Sequence, residues 1–590
     1  MSIDLSNWEP LIHVNQVSEP EHPILLVACY GRHGLLTAYS DDLKWNNSMP
    51  KNSFGDCSGH LYWCGLQGSD SSTCVMKLLK QDRLVSVVLT VLVVAVLVES
   101  KRKEIIVIGG GIAGLAAART IKNNRTADYR VRVFEARRDR YGGRVWTNKK
   151  DIPHATGVEA DLGGAVLNSA ASNNPLLNLT KKLELQTTKL GPMQLFVTKL
   201  NKRFSGNELV EAFIEARKRY LLAIESVKGE DQSVRSVVSQ AVDELRSHGD
   251  VDKEVVISIM ELLPTYNFQD FSATLYQTDL IDFGFDTFLL DGMGELTDRL
   301  VSGGDGESHL SIELRSVVRQ LKVDDRNKEV IVRLRDGSQV RADAVVVAVP
   351  AAVIRDESLM FEPMLPGQYR KALKEIGASY GNKLIVEFDE VFWPTDVGVF
   401  LLADSDTEQG MMQKWLNMHK LVGQPVLVSM IGGPASLKFE NMTDEEVKSL
   451  VRERLTTLFG PDAESRAIVK LLRSGWKSTL YSGLGSSYPK VGNDINMWNT
   501  LSEPLCPYIY FAGEHTIFKG IGTLHGAYNS GIRAAEQIMS ELCQQRAREE
   551  EKRRQEEERK RKEKEEKKKK KEKKKEKSKM SEKSEKKDEL

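Results

Sequence analysis

Cysteine is scarce: the 590 residues hold six, and no two stand in Cys-x-x-Cys spacing. That excludes a disulfide scaffold, a thiolate zinc ribbon and a dithiol redox pair, and no metal site is expected. Cys29, Cys57, Cys64 and Cys74 crowd the first 75 residues, while Cys506 and Cys543 stand alone near the other end. Long apolar runs are missing too. The longest, Leu84 to Val98, has fifteen residues, with Ser86 and Thr90 its polar members. As a helix it spans about 22 Å, short of the ~30 Å hydrocarbon core, which excludes a polytopic membrane protein. Net charge is absent as well, with 83 basic against 83 acidic residues. The balance hides an asymmetry. From Arg546 to Leu590 there are 23 Lys and Arg against 15 Asp and Glu, a basic tail on an acidic body.

What is present is an ordinary globular composition, 41% hydrophobic and 28% charged, long enough for a large two-part body plus appendages. Residues 1–75 show no sustained periodicity and stay unassigned. Residues 76–100 read as a signal peptide or retained signal-anchor: a basic start, Met76-Lys-Leu-Leu-Lys, then the apolar run, then Ser100. If it is not cleaved, residues 84–98 meet a membrane. From residue 101 to 542 strands and helices alternate through short Gly-rich connections, the pattern of an α/β domain. Residues 206–263 interrupt it with apolar positions at helical spacing, among them Leu209, Phe213, Ala216 and Tyr220. Residues 546–590 are Lys/Glu low complexity and cannot build a core; a charged helix and a disordered tail both fit.

The chemistry is carried by Glu104-Ile-Ile-Val-Ile-Gly109-Gly-Gly111-Ile112-Ala113-Gly114. A buried strand runs into Gly-x-Gly-x-x-Gly and then an Ala-rich helix. Gly109 permits the tight turn, Gly111 lets backbone approach a pyrophosphate, and Gly114 lets helix pack on sheet. The phosphates then meet a helix N-terminus, including Ile112 and Ala113. A second strand ends in Glu135, 21 residues after Gly114, placed to accept ribose hydroxyls. This is a dinucleotide site.

Downstream stretches add specificity. Arg137 precedes Gly142-Gly143-Arg144-Val145, and far along lies Ala-Gly-Glu514-His515-Thr516, then Gly522-Thr523-Leu524. Together these resemble the opening and closing FAD motifs of the flavin-dependent amine oxidase family, in its polyamine oxidase and lysine-specific histone demethylase-like branch. Ala160-Asp161-Leu162-Gly163-Gly164, Val317-Val318 with Ala344 to Pro350, and Gly381-Asn382-Lys383 are similar to interior family segments.

The resemblance implies a doubly wound, Rossmann-like FAD-binding α/β domain interleaved with a substrate domain of mixed sheet and helices. The FAD-binding parts are expected at about 101–180, 300–360 and 475–542, and the substrate parts at about 180–300 and 360–475. Lys383 is implied to hold a water at the flavin, with Trp476 and Tyr488 as aromatic walls. No cysteine occupies Gly485-Ser486-Ser487, so FAD is expected to be non-covalent. The implied reaction is oxidation of a C–N bond in a polyamine or other small amine to an imine, with O2 reduced to hydrogen peroxide.

Departures keep alternatives open. No histidine follows Gly164, unlike animal polyamine oxidases, and Trp476 is followed by Lys-Ser-Thr where the family carries Asp-Pro. A methyl-lysine demethylase and a catalytically silent flavoprotein scaffold therefore stay in view. Asp279, Asp282 and Asp286 offer acidic steering for a cation, or a solvated face. The closing Lys587-Asp588-Glu589-Leu590 reads as an address for the KDEL receptor. With residues 76–100 and the glycan acceptors Asn124, Asn178 and Asn441, it gives an endoplasmic reticulum lumen location, the nucleus being the alternative. Nucleic acid is not an expected partner.

Overall fold

The protein's structure, a computed structural model, describes strands Val27–Gly31 and Gly34–Ala38 and the chain from residue 102 to 588. Residues 125–128, 150, 152–156, 169–173, 248–252, 264–267, 277–286 and 305–306 are not described. The apolar run 84–98, residues Asp279, Asp282 and Asp286, and the last two residues therefore fall outside it. Two compact units divide the chain, Met1–Ser100 and Lys101–Leu590. In the first, within residues 1–75 read above as unassigned, the two strands pair antiparallel with Cys29 opposite Leu36.

In the second unit, five parallel strands form one sheet in the order Ser311–Glu313, Tyr129–Phe134, Lys103–Ile108, Ala344–Val347, Ile509–Phe511. Its strands come from three distant stretches of sequence, and their unbroken apolar runs follow from burial on both faces. Ile105, Val107, Val131, Val133 and Val346 point to one side, against helix Ile112–Lys122, helix Met293–Ser302 and the start of helix Leu524–Asp588. Their neighbours Ile106, Ile108, Phe134, Val345 and Val347 point to the other. There they meet helix Gly367–Glu375, which lies in the 360–475 range expected for the substrate part yet packs on this sheet through Tyr369 and Leu373.

The second sheet has seven strands, ordered Ile468–Arg473, Asn382–Phe388, Val426–Ile431, Lys414–Asn417, Val399–Ala403, Met193–Val197, Lys202–Ser205. Only Val399–Ala403 with Met193–Val197 is parallel; the rest are antiparallel. Helices Gly206–Glu225, Val234–Ser247 and Glu254–Leu262 cover one face, burying Leu209, Ala216 and Tyr220 as the spacing predicted. Helix Asp444–Phe459 covers the other, started by Thr443 in a reciprocal capping box with Glu446.

The basic tail is helical. Helix Leu524–Asp588 runs 65 residues without a break. Beyond Arg546 its described side chains are exposed, and Lys560–Glu556, Lys562–Glu558 and Arg561–Glu565 pair at i,i+4 spacing.

Candidate active site

The carboxyl ends of the parallel strands open into a cavity of about 850 Å³ that reaches across to the seven-stranded sheet. Gly109, at φ +105°, turns the chain out of the first strand, and a Cβ there would meet Ala348 O at 2.6 Å. A Cβ on Gly114 would meet Gly109 O at 2.0 Å, so this glycine seats the helix on the strand and does not line the cavity. Gly111 is different: a Cβ there would find only Gly143 Cα, at 3.9 Å. Gly111 and Gly143 thus face each other as bare backbone at the cavity wall. Helix Ile112–Lys122 has no acidic residue in its first turn and no side-chain cap, leaving its N-terminal amides to an anion.

Glu135 is buried, and its carboxylate accepts from Gly110 N–H and Arg137 N–H, each at 2.8 Å. Gly142 and Gly143, at φ +92° and +59°, form the second turn. Sequence reasoning passed over Arg140, whose guanidinium donates to the carbonyls of Tyr141, Gly143 and Val145 and so braces that turn. Arg144 donates to Glu514 at 2.8 Å and to Gly485 O at 3.0 Å, joining the two ends of the motif. Glu514 also accepts from Ser487 and Gly522 N–H. Burial pushes its carboxyl up, but Arg144 and these donors outweigh that and hold it below its usual range. Ile112, Ala113, Val145 and Val318 line the cavity, as do Gly522, Thr523 and Leu524. A slot of facing glycines, a free helix N-terminus, two arginines and two anchored carboxylates fit FAD.

Lys383 stands where the second sheet meets this cavity. Its Nζ donates to Asp161 O at 3.1 Å, and its backbone N–H to Ser474 Oγ at 2.8 Å. Burial lowers its pKa to about 8, the Asp161 carboxylate opposing and Lys414 assisting. Asp161, fully enclosed, is raised to about 6 by burial, against the pull of Lys383, the Thr147 hydroxyl and Met293 N–H. The sequence flagged Asp161 only as part of a segment; its place behind the lysine has no local signal. Trp476 lines the cavity beside Lys383, its ring edge-on to Trp146 at 6.4 Å. Asn382 Oδ1 accepts Trp476 N–H and the Ser474 hydroxyl, so lysine and tryptophan share one support.

Tyr488 is not among the described residues lining the cavity. Its ring stacks on Phe271 at 5.5 Å, and its hydroxyl donates to Asp270 at 2.6 Å. Burial and that carboxylate raise its pKa. No group of acidic, histidine or cysteine side chains that would hold a metal occurs among the described residues.

A family model described as flavin containing amine oxidoreductase matches residues 112–539. Polyamine oxidase 2 of Arabidopsis thaliana is 31% identical over 456 residues, covering 74% of this chain and 88% of that protein. Polyamine oxidase 4 of Oryza sativa subsp. japonica is 29% identical, covering 75% and 90%. Lysine-specific histone demethylase 1 homolog 2 of Arabidopsis thaliana is also 29% identical, over 75% of this chain but 59% of that one. The fold is similar to a solved triple mutant of putrescine oxidase redesigned in cofactor binding, with a TM-score of 0.57, 19% identity and coverage of 74% and 99%.

Proposed function

From the premise that this chain belongs to the flavin-containing amine oxidoreductases and is an FAD-dependent amine oxidase, we propose that it oxidises the C–N bond of a polyamine or another small aliphatic amine to an imine, with O2 as acceptor and hydrogen peroxide released. The observation that carries the reading is Lys383, buried at the edge of a cavity whose other end is the dinucleotide slot. FAD supplies the two-electron acceptor for the carbon next to nitrogen. The protein's own residues do the rest.

Gly111 and Gly143 would admit the pyrophosphate of FAD, Glu135 would take its ribose hydroxyls, and Arg144 with Glu514 would hold its flavin end. Trp476 and the sheet exclude bulk water from the reacting carbon. Lys383 Nζ, as a free amine, accepts a hydrogen bond from water and so orients it for imine hydrolysis. Among the described residues no cysteine lines the cavity, which supports non-covalent FAD. The polyamine oxidases among the relatives support an aliphatic amine over methyl-lysine.

We place the enzyme in the endoplasmic reticulum lumen, a KDEL receptor its partner. Residues 76–100 and the closing Lys-Asp-Glu-Leu support this, as do Asn178 and Asn441, both exposed. No helix among the described residues is long and apolar enough to cross a membrane.

Acid precipitation of purified yellow protein is expected to leave flavin in the supernatant, and an amine panel to bleach the flavin and yield peroxide. Flavin retained in the pellet overturns the non-covalent assignment; no bleaching by any amine supports the silent scaffold. Endoglycosidase H is expected to shift the band, and an unshifted nuclear protein overturns the lumenal assignment.

A further inference from the structure

Past Lys383 the cavity wall is a sheet face, and strand register decides what that wall offers. Residues paired across neighbouring strands point to the same side of a sheet. Ile385, Val428, Leu416 and Val399 are such partners on four adjoining strands, all buried under the helices of residues 206–262. Two residues along, the same face carries Lys383, Met430, Lys414 and Leu401 in register. There the cover ends: Met430 is 39% exposed, and Lys383, Met430 and Lys414 line the cavity. An apolar row would have continued the core. Two of its four positions are lysines instead.

Nothing described neutralises the outer one. Lys414 Nζ has no ion-pair or hydrogen-bond partner among the described residues, and its charge is felt at Lys383. Lys477 adds a third lysine to the lining, its Nζ 5.3 Å from the Tyr380 ring centre. The described carboxylates on the lining are all committed. Glu135 is held by backbone N–H groups, Glu514 by Arg144, and Asp356 by Arg355, and none belongs to the sheet.

A second ammonium on the substrate would be pushed away from this wall, whereas an anion would be drawn to it. We propose that the substrate is a small amine whose far end carries a carboxylate, and that Lys414 binds that carboxylate. The proposal rests on the amine-oxidase reading and narrows it. Strands lie about 4.8 Å apart, so Lys383 and Lys414, two strands apart, are about 10 Å apart at the backbone. That spacing fits a carboxylate several carbons from the oxidised C–N bond, as in an ω-amino acid. The amine loses two electrons and two hydrogens, one from carbon and one from nitrogen, O2 takes both and becomes hydrogen peroxide, and water releases ammonia from the imine to leave an aldehyde.

Three amines of one length separate the cases on the holoenzyme: 6-aminohexanoate, hexylamine and 1,6-diaminohexane. Anaerobic flavin reduction is expected to favour 6-aminohexanoate over the diamine by about ten-fold or more in kcat/KM, with hexylamine between. Lys414→Glu is expected to reverse that order. Hexanoate, which cannot be oxidised, is expected to bind the holoenzyme in calorimetry and to bind Lys414→Met about five-fold more weakly or less tightly still. Flavin content checks that each variant is folded, and Lys414→Met stands in where Lys414→Glu fails that check. A wild-type preference for the diamine or hexylamine, or an order unchanged in the Lys414 variant, overturns the proposal. No flavin reduction by these three or by spermidine removes the amine-oxidase reading itself, and the proposal with it.

Discussion

At the scale of single residues, the pair Lys383 and Asp161 sets the pH response. With Lys383 lowered to about 8 by burial, its free-amine fraction grows as pH rises through that value. A step that uses the amine therefore quickens across the same window. Lys383→Met is expected to keep its flavin, to lose about ten-fold or more in turnover, and to lose the limb near pH 8. A pH profile of flavin reduction and of steady-state turnover checks this, and a limb that survives the substitution assigns it elsewhere. Lys383 was legible in the sequence because Gly381-Asn382-Lys383 sits before an apolar strand. Its partner was not, since Asp161 lies 222 residues away and meets it through a backbone carbonyl. Tyr488 shows the opposite limit: an aromatic residue beside a flavin motif reads the same whether its ring faces the cavity or stacks on Phe271.

Among the elements, the contact between the first and last helices of the FAD part is a close one. A Cβ on Gly531 would meet Ala113 O at 2.1 Å, and Gly114 closes on Gly109 O from the same helix. Both helices also present their N-terminal turns to the cavity. Gly531→Leu is expected to cost about 1–3 kcal/mol by forcing them apart, and to weaken FAD retention along with it. Thermal unfolding and the flavin-to-protein absorbance ratio read the two effects separately; a normal ratio with lowered stability would confine the contact to packing. The sequence displayed Gly114 through its motif, and Gly531 after Ser530 at the end of the closing FAD motif. Only the packing of residue 113 against residue 531 reveals why a side chain is barred there. The row Lys383, Met430, Lys414 was hidden for a related reason. Register between three strands is a property of pairing, and no single strand records it.

For the whole molecule, the interleaving of two parts was legible because the FAD motifs bracket the chain and strand-like runs lie between. The assignment of helix Gly367–Glu375 to the parallel sheet was not, because its apolar face suits either sheet and only tertiary packing chooses. The described side chains of the tail, from Arg546 to Lys571, are exposed, so the folded body does not depend on them. A protein of residues 101–545 is expected to bind FAD and turn over amines at the full-length rate, checked by absorbance and peroxide release. Loss of flavin in it would give the tail a structural part.

Helix Leu524–Asp588 begins at the cavity wall and continues into solvent, so one hydrogen-bonded ladder passes through two environments. Its first turns are clamped by the core through Ala534, Ala535, Ile538 and Leu542. The turns after Arg546 rest on i,i+4 ion pairs worth a few tenths of a kcal/mol each. Such a ladder frays from its free end inward, gradually and with little cooperativity, while the clamped turns wait for the body. On warming, ellipticity at 222 nm should therefore decline over a broad range before any flavin fluorescence appears, and added salt should lower the first process more than the second.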